Sequence, residues 1–82
     1  MIEVTLYSRP GCHLCDDARE AILAVRAEGP AFDLRDVNID EDERLHAEYL
    51  ERIPVVEVKG EIVSELDVDL HALRSRLHTV AA

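Results

Sequence analysis

The chain has 82 residues, which fits a single domain spanning 1–82 with a thin hydrophobic core. Its 18 acidic residues outnumber 9 Lys and Arg residues, giving a formal net charge of −9. This balance argues against a nucleic-acid partner or an anionic membrane surface, because both need clustered basic side chains.

The N-terminal half predicts a strand, a helix and a second strand. Ile2, Val4 and Leu6 alternate with polar residues, as in a strand. A helix follows, which Gly29-Pro30 ends, and its apolar stripe comprises Leu14, Ala18, Ala21, Ile22 and Val25. Alternation resumes from Phe32 to Ile39 but changes phase, so we expect a strand with an irregularity near Arg35-Asp36.

The C-terminal half predicts a helix, a hairpin and a last helix. Asp40 and Glu43 resemble a capping box that opens the second helix, which Pro54 ends. The hairpin consists of Val55 to Val58, the turn Lys59-Gly60, and Ile62-Val63. Asp67 is expected to cap the last helix, whose apolar positions are Leu70, Leu73, Leu77 and Val80. The order β-α-β-α-β-β-α indicates an α/β fold in which the first two strands are parallel and the hairpin is antiparallel.

Both cysteines, Cys12 and Cys15, lie where the first strand meets the first helix. Their spacing puts both thiols on one helix face, and the helix dipole lowers the pKa of the first thiol. This pattern predicts thiol–disulfide exchange, with Cys12 as nucleophile and Cys15 as resolving thiol. Three alternatives stay open: half of a zinc or iron–sulfur site completed in a dimer, a non-catalytic redox-sensing or docking module, and two inert buried thiols.

The chain also resembles glutaredoxins, whose typical signature is Tyr-Ser-Lys-Pro-x-Cys-Pro-Tyr-Cys. Here it is Tyr7-Ser8-Arg9-Pro10-Gly11-Cys12-His13-Leu14-Cys15, and Arg52-Ile53-Pro54 corresponds to the family's Thr-Val-Pro. The resemblance implies a thioredoxin fold, with a four-stranded mixed sheet flanked by three helices and a cis bond before Pro54. It also implies a dithiol oxidoreductase that works through a Cys12–Cys15 disulfide, without bound cofactor or metal.

Five further residues are candidate substrate-binding residues. Arg9 can pair with a substrate carboxylate, and a cationic His13 can stabilise the Cys12 thiolate. The resemblance implies that Pro54 turns the backbone N–H and C=O of Ile53 toward an extended substrate. It also implies that Asp67 corresponds to the family's Asp at the start of the last helix.

Two departures from the glutaredoxin pattern concern the electron donor. Ser64-Glu65 stand where the family has Gly-Gly, which lets the backbone approach glutathione, and Arg52 stands where it has Thr. The donor is therefore an external thiol, glutathione or another, or a thioredoxin reductase. We expect protein or low-molecular-weight disulfides as substrates, a monomer, and a cytoplasmic role in cell redox homeostasis. The cytoplasmic assignment follows from the absence of a signal-peptide pattern and the small number of cysteines.

Overall fold

The structure, a computed structural model, describes residues 2–81. Its elements are β1 (Ile2–Ser8), α1 (His13–Glu28), β2 (Phe32–Asn38), a 3-10 turn (Ile39–Glu41), α2 (Glu43–Tyr49), β3 (Val55–Val58), β4 (Glu61–Glu65) and α3 (Leu70–Ala81). The strands form one sheet in the order β2-β1-β3-β4. β1 and β2 are parallel and the other pairs are antiparallel, which confirms the predicted α/β fold. Across residues 2–81, no helix is both long and apolar enough to cross a membrane.

The core lies between one face of the sheet and the two long helices. β1 and β3 are the central strands, and Val4 and Leu6 of β1 are completely buried. Ile22 of α1 and Leu73 and Leu77 of α3 belong to the same buried cluster. Burial of such side chains is the main favourable contribution to folding, roughly 1.5–3 kcal/mol for each. It fixes both helices on the sheet, and the start of α1 with them.

The buried stripe of α1 agrees with the predicted one at Ala18, Ile22 and Val25 but begins at Cys15 and not at Leu14. Its buried residues are Cys15, Ala18, Ile22 and Val25. Leu14, which the prediction placed in the stripe, is 56% exposed. Neighbouring helical residues differ by about 100° around the axis, so burying Cys15 turns Leu14 toward solvent. The prediction for Leu14 was wrong because it did not include the cysteine among the apolar positions.

The expected irregularity in β2 is absent, and another lies elsewhere in the sheet. β2 pairs with β1 without interruption, from Ile2 opposite Phe32 to Ser8 opposite Asn38. The apparent change of phase arises because Ile39 is buried in the 3-10 turn and is not part of the strand. The register instead shifts between β3 and β4, next to Val56.

The helix caps differ from those predicted. Oδ1 of Asp42, not of Asp40, accepts hydrogen bonds from the Arg44 and Leu45 N–H groups, at 2.8 and 3.2 Å. The 3-10 turn holds Asp40 and so moves the start of α2 along the chain. α2 ends at Tyr49, before Pro54, which instead directly precedes β3.

The cap of α3 is also displaced. Oδ1 of Asp69 accepts a hydrogen bond from the Ala72 N–H at 3.0 Å, the geometry of an N-cap. Asp67 accepts only from the N–H of its neighbour Val68, at 2.8 Å. Asp67 was therefore wrongly assigned as the cap, because α3 begins at Leu70 and the capping residue must directly precede it.

We predict that Asp42→Ala lowers the free energy of unfolding by about 1 kcal/mol, because two N–H groups lose their acceptor. Asp40→Ala is the matched control: it removes the same group from an exposed pair with Arg9 and should cost less than about 0.5 kcal/mol. Urea denaturation of both variants measures the difference. Equal losses, or a larger loss at Asp40, would contradict the capping assignment.

Candidate functional site

Cys12 is the N-cap residue of α1. Gly11, with φ of 80°, turns the chain between β1 and the helix, a conformation that glycine adopts without strain. The Cys12 Sγ accepts a hydrogen bond from the backbone N–H of Cys15 at 3.1 Å. A sulfur thus takes the place that a Ser or Asp oxygen usually has at a helix start.

The two cysteines are joined by a disulfide bond, with their Cα atoms 5.2 Å apart. They differ in exposure: Cys15, in the first turn of α1, is completely buried, whereas Cys12 is only partly buried. The Asp16 N–H donates to the Cys12 carbonyl at 3.1 Å, so Cys12 is already tied into the first helical turn. An incoming molecule can therefore reach Cys12 but not Cys15.

The residues beside Cys12 in sequence lie on the surface. His13 is the first residue of α1 and is exposed. Nε of Arg9 lies 3.4 Å from Oδ2 of Asp40, whose other oxygen lies 3.7 Å from Nε2 of His46. Arg9, which the sequence analysis predicted to pair with a substrate carboxylate, therefore already pairs with the Asp40 carboxylate of the same chain.

The Ile53–Pro54 segment lies at the same end of the sheet as the cysteines. The bond is cis, as the resemblance implied, and Pro54 is buried. Val55, the next residue, pairs with Tyr7 near the end of β1, where the chain turns toward Cys12. The Ile53 N–H donates to the Tyr49 carbonyl at 3.0 Å, so it is already paired within the chain, and its pairing with substrate stays a prediction.

Asp67 is exposed and lines an open cleft of about 610 Å³. The cleft is formed by residues between Val63 and Leu70, and neither cysteine lines it. Glu65 and Asp69 line the same cleft, which gives it an acidic wall. The structure thus does not bring Asp67 into contact with the disulfide.

Arg52 and Glu65, two of the residues that depart from the glutaredoxin pattern, contact each other. Nε of Arg52 donates to Oε1 of Glu65, and its NH1 nitrogen donates to Oε1 of Glu48 at 2.7 Å. The Leu66 N–H also donates to the Arg52 carbonyl at 2.9 Å. Arg52 therefore links α2 to the end of β4 beside the Ile53–Pro54 bond, a contact that neither residue predicts alone.

Two tyrosines extend this cluster onto the sheet. The rings of Tyr7 and Tyr49 are stacked with centroids 4.5 Å apart, and Cζ of Arg52 lies 5.1 Å from the Tyr49 centroid. Burial, followed by the negative charge of Glu57, raises the pKa of Tyr7 to about 12. Tyr7 is thus neutral at physiological pH and acts as a packing residue.

Sequence reasoning missed a polar cluster under the first turn of α1. Arg19 donates through Nε to Asp36, through NH1 to Asp16 at 2.9 Å, and through NH2 to Ser8 Oγ at 3.3 Å. The Ser8 hydroxyl in turn donates to Asp36 at 2.8 Å. The pKa of Arg19 is raised, chiefly by its hydrogen bond to Asp36. The i, i+3 spacing of Asp16 and Arg19 could have predicted their contact on the helix surface. No sequence signal predicts the contact of Arg19 with Asp36 on β2.

The metal alternative has no complete ligand set within one chain. Over residues 2–81, the structure has no group of three or more His, Cys, Asp or Glu side chains that could hold a metal ion. Cys12 and Cys15 would need ligands from a second molecule.

Comparisons with known proteins agree with this geometry. A family model, the Glutaredoxin-like domain (DUF836), matches residues 3–78. The chain is similar to protein Ne2328 from Nitrosomonas europaea, with a TM-score of 0.82, 26% identity, and coverage of 93% of this chain and 91% of that one. It is similar to protein XcR50 from X. campestris, with a TM-score of 0.71, 39% identity, and coverage of 93% and 96%.

A mutant thioredoxin from Halobacterium salinarum shares the fold at 20% identity, with a TM-score of 0.66 and coverage of 95% of this chain and 73% of that one. No curated protein matches the chain. The comparisons therefore establish the family and the fold.

We predict that stability falls as pH rises from about 10 to about 12. Tyr7 keeps its proton to about pH 12 in the folded protein, whereas an unfolded tyrosine loses it near pH 10, so the unfolded state binds fewer protons in that window. Chemical denaturation at several pH values measures the slope. Tyr7→Phe should make the slope shallower, leaving the smaller contribution of Tyr49, whose pKa is also raised. An unchanged slope would contradict the assignment.

Proposed function

The chain belongs to the glutaredoxin-like domain family, and on that basis we propose that it is a thiol–disulfide oxidoreductase. Cys12 is the nucleophile and Cys15 is the resolving thiol. The observation that carries the proposal is the hydrogen bond from the Cys15 N–H to the Cys12 Sγ, 3.1 Å long. The Cys15 N–H thereby donates to the same sulfur that would react with an incoming disulfide.

The first step needs Cys12 as a thiolate. Reduction of the disulfide leaves Cys12 at the positive end of the α1 dipole, with the Cys15 N–H as donor. The thiolate attacks one sulfur of a substrate disulfide, and the S–S bond of the substrate breaks. One substrate sulfur leaves as a thiolate, which takes a proton from solvent, and the other is bonded to Cys12 in a mixed disulfide.

The second step uses the buried thiol. Cys15 loses its proton and attacks the Cys12 Sγ, which lies one helical turn away on the same helix. The Cys12–Cys15 bond forms, the mixed disulfide breaks, and the second substrate thiol is released. An external thiol or a reductase then supplies two electrons and two protons to regenerate the dithiol.

The substrate side of the site is built from the remaining candidate residues. A substrate backbone at Ile53–Pro54 would pair with the Ile53 carbonyl, and with the Ile53 N–H if that group releases the Tyr49 carbonyl. Arg9 would attract a substrate carboxylate only in competition with Asp40. Asp67 would contact the more distant part of a bound molecule through the cleft that it lines.

We predict that Cys12→Ser abolishes reduction of insulin and of small disulfides, because no other thiol is accessible in the described structure. Cys15→Ser should instead form a stable mixed disulfide with substrate, since the attack is intact but the resolving thiol is missing. Mass spectrometry of each variant after incubation with a disulfide detects the adduct.

Turnover by Cys12→Ser would reject the proposal. Stoichiometric zinc or iron in the freshly purified, reduced protein, together with a dimer, would favour the metal alternative. Glutathione, another small thiol and thioredoxin reductase are then compared as electron donors in the same assay.

We predict that His13→Ala raises the Cys12 pKa, because an exposed imidazolium next to the thiolate stabilises its charge when protonated. Leu14→Ala is the matched control, since Leu14 is an exposed neighbour without charge. Thiolate absorbance of the reduced proteins, followed against pH, measures both. Equal Cys12 pKa values in the two variants would remove this role for His13.

A further inference from the structure

We propose that Arg19 is a positioning residue that keeps Cys12 reactive by offsetting one of the two negative charges of Asp16 and Asp36, the carboxylates that it binds. This inference rests on the proposed function, because it concerns the same thiol. The hydrogen bonds of Arg19 go to Asp36, Asp16 and Ser8 and not to the disulfide. Arg19 acts on the electrostatic environment of Cys12 through the residues that it binds.

The contacts of Arg19 use all three of its nitrogens. Nε binds Asp36 on β2, NH1 binds Asp16 one turn earlier on α1, and NH2 binds the Ser8 hydroxyl at the end of β1. The Arg19 side chain is 31% exposed, and those of Asp36 and Asp16 are 39% and 63% exposed, so solvent screens the cluster and reduces its effect on Cys12. A planar guanidinium with several donors suits such a multiple contact.

Without Arg19, the negative charges of the two carboxylates would disfavour the Cys12 thiolate. Asp16 lies in the first turn of α1, where its backbone N–H donates to the Cys12 carbonyl. Asp36 on β2 accepts hydrogen bonds from Ser8, the last residue of β1, and from Arg19, so it lies near the end of β1 from which the chain leads to Cys12. Negative charges near a thiol disfavour its ionised form and offset the effect of the helix dipole. With Arg19 in place, the cluster carries one net negative charge; without it, the cluster carries two.

The other charged groups at this end of the sheet bind other partners, although Arg9 lines the same cleft as Arg19, Asp16 and Asp36. Arg9 pairs with Asp40, which His46 also approaches, and Arg52 pairs with Glu65 and Glu48. The remaining groups are exposed: His13 and Asp17 on α1, and Asp67 after β4. Both arginines therefore already face carboxylates of their own, and Arg19 is the cation that binds Asp16 and Asp36.

The consequence is a shift in both the thiol pKa and the reduction potential. Reduction of the disulfide takes up two electrons, and above the Cys12 pKa the product carries a thiolate. Loss of Arg19 disfavours that thiolate, so the Cys12 pKa rises and the reduced form becomes less stable relative to the disulfide. The reduction potential therefore becomes more negative.

The test is the Cys12 pKa in proteins carrying Cys15→Ser, so that Cys12 is the only thiol. The pH dependence of iodoacetamide alkylation reports the pKa without any turnover. Arg19→Ala should lower the thiolate fraction about threefold below the pKa, as expected for one charge partly screened by solvent. Arg74→Ala is the matched control: it also removes one arginine from a carboxylate pair, with Glu28, which is the last residue of α1 and lies about 24 Å from Cys12 along that helix.

Charge compensation separates an electrostatic role from a merely structural one. Arg19→Ala combined with Asp36→Asn restores one net negative charge and should bring the pKa back toward the parent value. Asp36→Asn alone keeps Arg19 and should lower the pKa, which tests the idea even if Arg19→Ala fails to fold. The reduction potentials of the same variants, with both cysteines present, should shift in the corresponding directions.

An unchanged Cys12 pKa in Arg19→Ala, or a double variant no closer to the parent than the single one, would overturn the inference. A change of equal size in Arg74→Ala would also overturn it. Because alkylation needs no substrate disulfide, these outcomes are independent of whether the protein turns over disulfides. Failure of the proposed function would appear instead as activity retained in Cys12→Ser.

Discussion

The site depends on one short contact, the hydrogen bond that the Cys15 N–H donates to the Cys12 Sγ. It makes the sulfur the cap of α1, so the geometry that starts the helix also sets the environment of the reactive atom. Packing of Ile22 and of α3 on the sheet holds that helix start in place. Stability of the fold and chemistry at the thiol are thus properties of the same few residues.

The architecture was predictable because hydrophobic periodicity is a local property of the sequence. The alternation in β1 and the valines of β3 were enough to predict the sheet. The CxxC at a strand–helix junction was enough to predict where the candidate site lies. The errors concern positions where two local signals compete. Asp40 and Asp42 both satisfy capping rules, and only the 3-10 turn, which the sequence pattern does not reveal, decides between them.

Other parts of the site could not be predicted because they join distant residues. Ser8 and Asp36 meet only because β1 and β2 are parallel and in register, and Arg19 reaches them from the helix between. Arg52 and Glu65 each looked like an isolated departure from the family pattern, yet they form one ion pair. A single sequence shows each of these residues but not its partner.

Because Cys15 is completely buried, only the Cys12 sulfur of the pair is accessible from solvent. A bulky labelling reagent or cross-linker applied to the folded, reduced chain would modify a single sulfur, so a native thiol count would fall short of the count in denaturant. For the same reason, the molecule cannot be captured through both sulfurs by two partners at once. Any partner that forms a disulfide with the folded chain would have to do so at Cys12, one molecule at a time.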